Sequence, residues 1–152
     1  MTLKICELMS ILLAASVAGM FLGPWLALSR SMSAFKPEVF LAIVDRLNRN
    51  MAPVMTVLMP ACLLSMVPVL FLSYTNQPAT FYLTLSGFVL FTIALVVTMV
   101  VEVPIVQQIV SWTISTLPGN WQELRDRWGA FHIVRVVAGI AGLTALLLGA
   151  IF

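Results

Sequence analysis

The chain has 152 residues, 61% of them hydrophobic and 9% charged, with a net charge of +2 and a mean hydropathy of +1.07. A water-soluble domain carries about 25% charged residues, so this chain lacks the polar groups to cover a surface facing water and belongs in a bilayer. Its few basic residues form no stripe interleaved with aromatics, which excludes a nucleic-acid partner, and its length allows one membrane domain over residues 1–152 and no second domain.

Four apolar runs follow one another: about 8–28, 52–71, 81–101 and 133–152. Each holds about 20 residues, enough at 1.5 Å per residue to cross a hydrocarbon core of about 30 Å. Barrel strands would be about 10 residues long and alternate in polarity, so the expected fold is all-α, a bundle of four transmembrane helices. The first run is longer than the apolar core of a signal peptide, and Glu7 sits where positive charge would be expected. It is read as a retained span. Along it Ala15, Gly19, Gly23 and Ala27 recur every four residues, as do Ala141, Ala145 and Gly149 on the fourth run. Small residues at that spacing let helix backbones approach closely. Packing within one chain is the expected use, and a dimer seam the alternative.

The connection at residues 29–50 opens its helical part with Pro37, followed by Phe40, Ile43, Val44 and Leu47 at helical spacing, away from Asp45, Arg46 and Arg49. This is an amphipathic helix, either lying at the interface or extending the second span. The second run carries Pro53, Pro60 and Pro68, each of which removes a backbone hydrogen bond and can bend the helix to open a pocket. A short polar turn at 73–80 leads to the third run. Residues 104–117 then suggest a second amphipathic helix, with Ile105, Ile109 and Trp112 on one side. After "LPGN", Asn120 and Glu123 have capping-box spacing, so a helix is predicted from Trp121 into the fourth span without a stop.

The long connections hold Arg30, Lys36, Arg46, Arg49, Arg125 and Arg127, against Lys4 at the other end. The positive-inside rule therefore places both connections in the cytoplasm and both termini outside it, in a membrane expected to be a bacterial inner membrane. Cys6 and Cys62 have no metal-ligand or redox spacing and read as small apolar residues, with one distant disulfide as the alternative.

The chemistry concentrates in "RDRWGAFHIVR", residues 125–135, which holds the chain's one histidine. At about 100° per residue, Arg125, Trp128, His132 and Arg135 fall within an arc of roughly 80°. Arg135 lies about a turn inside the apolar run, where an unpaired charge costs several kcal/mol. Glu102, ending the third span on the same membrane side, is its natural partner. The alternative is structural: arginines on lipid headgroups, Trp128 as an interfacial anchor and His132 as a hydrogen-bonded residue. One histidine and two scattered cysteines make no zinc site, and a haem ligand at His132 would lack a second.

"VEVPIVQQIVSW" (101–112) and "LPGNWQELRDRWGAFHIVR" (117–135) resemble the carboxy-terminal half of the anthrone-oxygenase-like family of small four-span membrane proteins. The shared pattern is (Glu or Asn)-x-Pro ending the third span, then Trp-x-x-x-Arg-x-Arg-Trp-x-x-x-His-x-x-Arg. Here it takes in Glu102, Pro104, Gln108, Trp112, Trp121, Arg125, Arg127, Trp128, His132 and Arg135. Many relatives carry Asp or Asn where this chain has Val106 and Gln107. The resemblance implies a cofactor-free oxygenase acting on a polycyclic phenol or other lipophilic aromatic with O₂. His132 would be the base, because an imidazole titrates near working pH, with Arg135 and Glu102 also in the catalytic set. Arg125, Trp128, Trp112 and Gln108 are expected to bind substrate. No cofactor or metal is expected. The alternative is a non-catalytic membrane subunit, or a lipid- or quinone-binding protein, that docks in a larger complex or a homo-oligomer.

Overall fold

A computed structural model describes residues 1–29 and 31–152; Arg30, one of the basic residues used to orient the chain, lies outside the described residues. Helix makes up 89%, with no strand among the described residues. Five α-helices follow in order: α1 (Thr2–Pro24), α2 (Pro37–Ser73), α3 (Pro78–Val97), α4 (Val103–Val110) and α5 (Trp121–Ile151). A π-helical turn, Trp25–Ser29, continues α1, and another, Thr98–Glu102, joins α3 to α4 without a break. Four helices, Thr2–Leu28, Pro37–Ser73, Pro78–Val110 and Trp121–Ile151, are long and apolar enough to cross a membrane.

This continuity settles one choice left by the sequence and corrects one expectation. The stripe of Phe40, Ile43, Val44 and Leu47 is the first part of α2, whose 37 residues run about 55 Å, well beyond a hydrocarbon core of about 30 Å. The third span likewise runs on through Pro104 to Val110 and stops there, short of the Leu117 predicted for a separate helix. Pro104 causes no break because it sits just past the π turn, where the hydrogen-bond ladder is already rearranged: the Val103 N–H reaches back to the Thr98 carbonyl. The α5 prediction holds from Trp121 to Ile151, but Asn120 does not cap its amides. Its side chain instead meets Glu123 at 3.4 Å, and the side-chain capping box lies at Thr113 and Thr116, on a short 3-10 turn.

The helices pack α1 on α2 and α5, α3 on α5, and α2 on α3. Contact between α3 and α5 is close because Gly87 and Gly142 face each other's helices. A Cβ on Gly142 would fall 2.8 Å from Phe91 Cε2, and one on Gly87 3.1 Å from Leu146 Cγ. In lipid such close approach replaces the hydrophobic drive available in water. The stripe on α1 behaves differently from the expectation of packing within the chain: Ala15, Gly19, Gly23 and Ala27 all face outward, and nothing lies within 4 Å of a Cβ built on Gly19 or Gly23. The inward face of α1 is instead Ala14, Val17, Ala18 and Phe21.

At one end of the molecule, Lys4 Nζ donates to the Ala150 carbonyl at 3.0 Å and Thr80 Oγ1 to the Gly149 carbonyl at 2.9 Å. Both termini and the α2–α3 turn therefore share that end. Below it lies a core of Ala14, Val17, Met66, Phe91, Ala94 and Leu146. A second core at the opposite end joins Phe40 and Val44 of α2 to Ile105 and Ile109 of α4 and to Trp121 and Trp128 of α5. The amphipathic faces read from the sequence thus cover one another. Between the two cores lies a cavity.

Candidate functional site

The cavity, of about 660 Å³, is walled by α1, α2, the α3–α4 helix and α5; small-molecule sites run about 300–1,000 Å³. Its lining is chiefly apolar. Met20, Met51, Met55, Met59 and Met99 contribute five of the chain's nine methionines, flexible thioethers that mould to a guest and favour aromatic edges. Against this wall stand Glu102, Trp128, His132 and Arg135, with Thr98 between them.

Arg135 is the hub. Its Nη2 lies 3.1 Å from Glu102 Oε2 and 2.7 Å from His132 Nδ1, and its Nη1 donates to Thr98 Oγ1 at 3.2 Å. Its guanidinium carbon sits 4.9 Å from the centroid of the Phe21 ring, a cation–π contact. Glu102 and Arg135 side chains are only 4% and 12% exposed, so each needs the other: an unpaired charge at this depth is expensive.

His132 is held from both sides. Nε2 lies 3.0 Å from the Phe21 carbonyl, which can only accept, so Nε2 carries the hydrogen. Nδ1 faces a guanidinium that can only donate, so Nδ1 accepts. This fixes one neutral tautomer with both ring nitrogens occupied. The Phe21 carbonyl is available because α1 tightens past Pro24, where the Trp25 N–H bonds to Leu22 instead. The imidazole therefore ties α5 to α1 as well as to Arg135.

By strict hydrogen-bond geometry three buried polar atoms of this cluster have no partner among the described residues, Glu102 Oε1, Trp128 Nε1 and Arg135 Nε, although the Trp128 indole lies within reach of the Glu102 carboxylate. Each belongs to a residue lining the cavity. One is an acceptor and two are donors, and buried orphans of this kind cost about 1–3 kcal/mol each.

Of the residues proposed from sequence, His132, Arg135, Glu102 and Trp128 come together here. Arg125, Trp112 and Gln108 do not. Arg125 turns to Asp126 at 2.8 Å and stacks on Trp121 at 5.2 Å; Trp112 packs beside the second core; Gln108 is exposed. The arc on α5 was wide enough to admit Arg125, but neighbouring Asp126 captured it. Gln107, noted as a departure from the family pattern, lines the cavity with Asn48 in place of Gln108. Thr98 and the Phe21 carbonyl were not foreseen. Thr98, one turn before Glu102, could have been found by following the carboxylate's helix face; a backbone carbonyl leaves no such signal. Both cysteines are free, Cys62 buried and Cys6 partly so. Among the described residues no three His, Cys, Asp or Glu side chains gather to hold a metal ion.

The family model described as anthrone oxygenase matches residues 40–145, and the chain belongs to that family. The match includes every side chain of the polar cluster and leaves out α1, which supplies the Phe21 carbonyl and ring. No curated protein and no solved structure matches the chain.

Proposed function

From membership of the anthrone oxygenase family as the premise, we propose that the cavity binds a polycyclic phenol or its keto tautomer and oxidises it with O₂. The observation that carries this reading is the trio of unpartnered atoms. A phenolic hydroxyl brought against this wall would find an acceptor in Glu102 Oε1 and donors in Trp128 Nε1 and Arg135 Nε, once the side chains shift to admit it. A quinone or ester carbonyl would satisfy the two donors and leave the carboxylate oxygen facing another acceptor, so the hydroxyl fits better than the quinone of the alternative reading.

In this reading Glu102 is the base, a role the sequence first suggests for His132. Both imidazole nitrogens are already engaged, while one Glu102 oxygen has no partner. Glu102 takes the proton, and the N–H groups of Trp128 and Arg135 stabilise the anion in a site shielded from water. The electron-rich carbon of the anion then bonds to O₂. A CH₂ between two rings becomes C=O, one oxygen atom entering the product and the other leaving as water, so no further reductant is required. His132 is a positioning residue that holds Arg135.

The basic residues Lys36, Arg46, Arg49, Arg125 and Arg127 near the long connections, against Lys4 by the termini, support placing the connection end in the cytoplasm. The test is Glu102→Gln in purified protein reconstituted with lipid. It keeps the shape of the site and removes the base. O₂ uptake with a polycyclic phenol falls at least 100-fold while the phenol still binds; uptake at the original rate overturns the assignment.

A further inference from the structure

The cavity is not closed on all sides. On α2 its lining stops at Pro60, and on the α3–α4 helix it begins at Leu95. Beyond those points, towards the termini, Cys62, Met66, Phe91 and Ala94 fill the interior. On the connection side of Pro60 two helix edges flank the cavity. Ala52, Thr56 and Pro60, spaced by four, form one; Met99 and Val103 form the other. Ala52, Thr56, Pro60, Met99 and, nearer the connections, Gln107 are lining residues and also exposed, so the cavity reaches the outer surface between these helices.

The depth of this gap matters more than its presence. The charged residues of α2, Glu38, Asp45, Arg46 and Arg49, all precede it, and from Met51 to Ser73 the helix carries none. On the facing helix no charged residue precedes Glu102. The gap therefore opens onto hydrocarbon. The α2 edge is built from short side chains, and Pro60, lacking an N–H, leaves the ladder of α2 free to give at the end of the gap.

We infer that the cavity is loaded sideways from the bilayer, through a slot between α2 and the α3–α4 helix edged by Ala52, Thr56, Pro60 and Met99. This deepens the proposed function and rests on it in one respect: the ligand is a lipid-dissolved aromatic. The slot itself is a property of the fold. Its edges set which molecules pass, flat rings edge-on before bulky ones, while the polar cluster within reads the hydroxyl. Thr56 and Met99 are the specificity-determining positions of this route.

The experiment needs no turnover, so it separates the slot from the chemistry. Trp128 lines the cavity and reports from inside it. With Trp25, Trp112 and Trp121 changed to Phe, Trp128 fluorescence is measured in vesicles of phosphatidylcholine brominated on its acyl chains, and separately with aqueous acrylamide. If Trp121→Phe loosens the fold, proteins retaining Trp121, with and without Trp128, give the signal by difference. Brominated chains quench Trp128 more than acrylamide does. Thr56→Phe, which fills the slot, cuts that lipid quenching at least threefold; Val57→Phe, exposed on the same helix but outside the cavity lining, leaves it unchanged. Dominant acrylamide quenching, or equal effects of the two substitutions, overturns the lateral route. The Glu102→Gln assay is independent of either result.

Discussion

Removing the Glu102 carboxylate alone should harm the fold more than removing both members of its ion pair. In Glu102→Leu, Arg135 keeps its bonds to Thr98 and His132 and its place over the Phe21 ring, but its charge loses the counter-ion 3.1 Å away. Breaking a buried pair from one side costs about 3–5 kcal/mol. The ring face, worth about 0.5–2 kcal/mol, is already counted in the intact protein and cannot compensate. In Glu102→Leu with Arg135→Met no charge remains unpaired. The residual loss is chiefly the orphaned His132 Nδ1, about 1–3 kcal/mol, since Thr98 Oγ1 loses Arg135 but keeps its bond to the Ala94 carbonyl. Adding Arg135→Met to Glu102→Leu should therefore restore stability by roughly 2 kcal/mol. Equilibrium unfolding of the wild type, the two single variants and the double variant in mixed micelles measures all four corners of the cycle. A double variant whose cost equals the sum of the singles, or a Glu102→Leu protein within 1 kcal/mol of wild type, would refute the claim that these charges depend on one another.

Further substitutions separate the remaining roles. His132→Gln can still donate to the Phe21 carbonyl and accept from Arg135, so it should keep measurable O₂ uptake, whereas His132→Leu orphans both partners and loses about 1–3 kcal/mol in an unfolding titration. Complete loss of turnover in the Gln variant at unchanged stability would return the base to His132. Trp128→Phe removes one N–H and should weaken binding of 1-hydroxypyrene about tenfold, roughly 1.4 kcal/mol, by fluorescence titration; Arg125→Ala, outside the cavity lining, should leave it unchanged. Gly142→Ala drives a methyl against Phe91 and should cost about 1–3 kcal/mol, while Gly19→Ala, with open space around it, should be neutral or stabilising by up to about 1 kcal/mol in an unfolding titration.

The four long helices were readable because apolar runs of bilayer length leave few alternatives. The pairing of Glu102 with Arg135 was readable as well, since an arginine inside an apolar run needs a counter-ion and topology offered one. What escaped were properties that hydropathy and helix phase do not encode. The engagement of both His132 nitrogens depends on the Phe21 carbonyl, freed near Pro24 and 111 residues earlier in the chain. The outward turn of Ala15, Gly19, Gly23 and Ala27 depends on which face of α1 its neighbours chose, and α1 offered Ala14, Val17, Ala18 and Phe21 as a second face. Arg125 shared the phase of Trp128 and His132 but had a carboxylate beside it in sequence, and the nearer partner prevailed.

The five methionines around the cavity bring a vulnerability along with their pliancy. Thioethers are among the side chains most readily converted to sulfoxides. In the proposed reaction, a reduced-oxygen species that escaped the polar cluster would meet those sulfurs on the cavity wall. Each sulfoxide would plant a strong dipole in an oily wall and repel the guests it once moulded around. If the proposed chemistry holds, such a chamber would age with use.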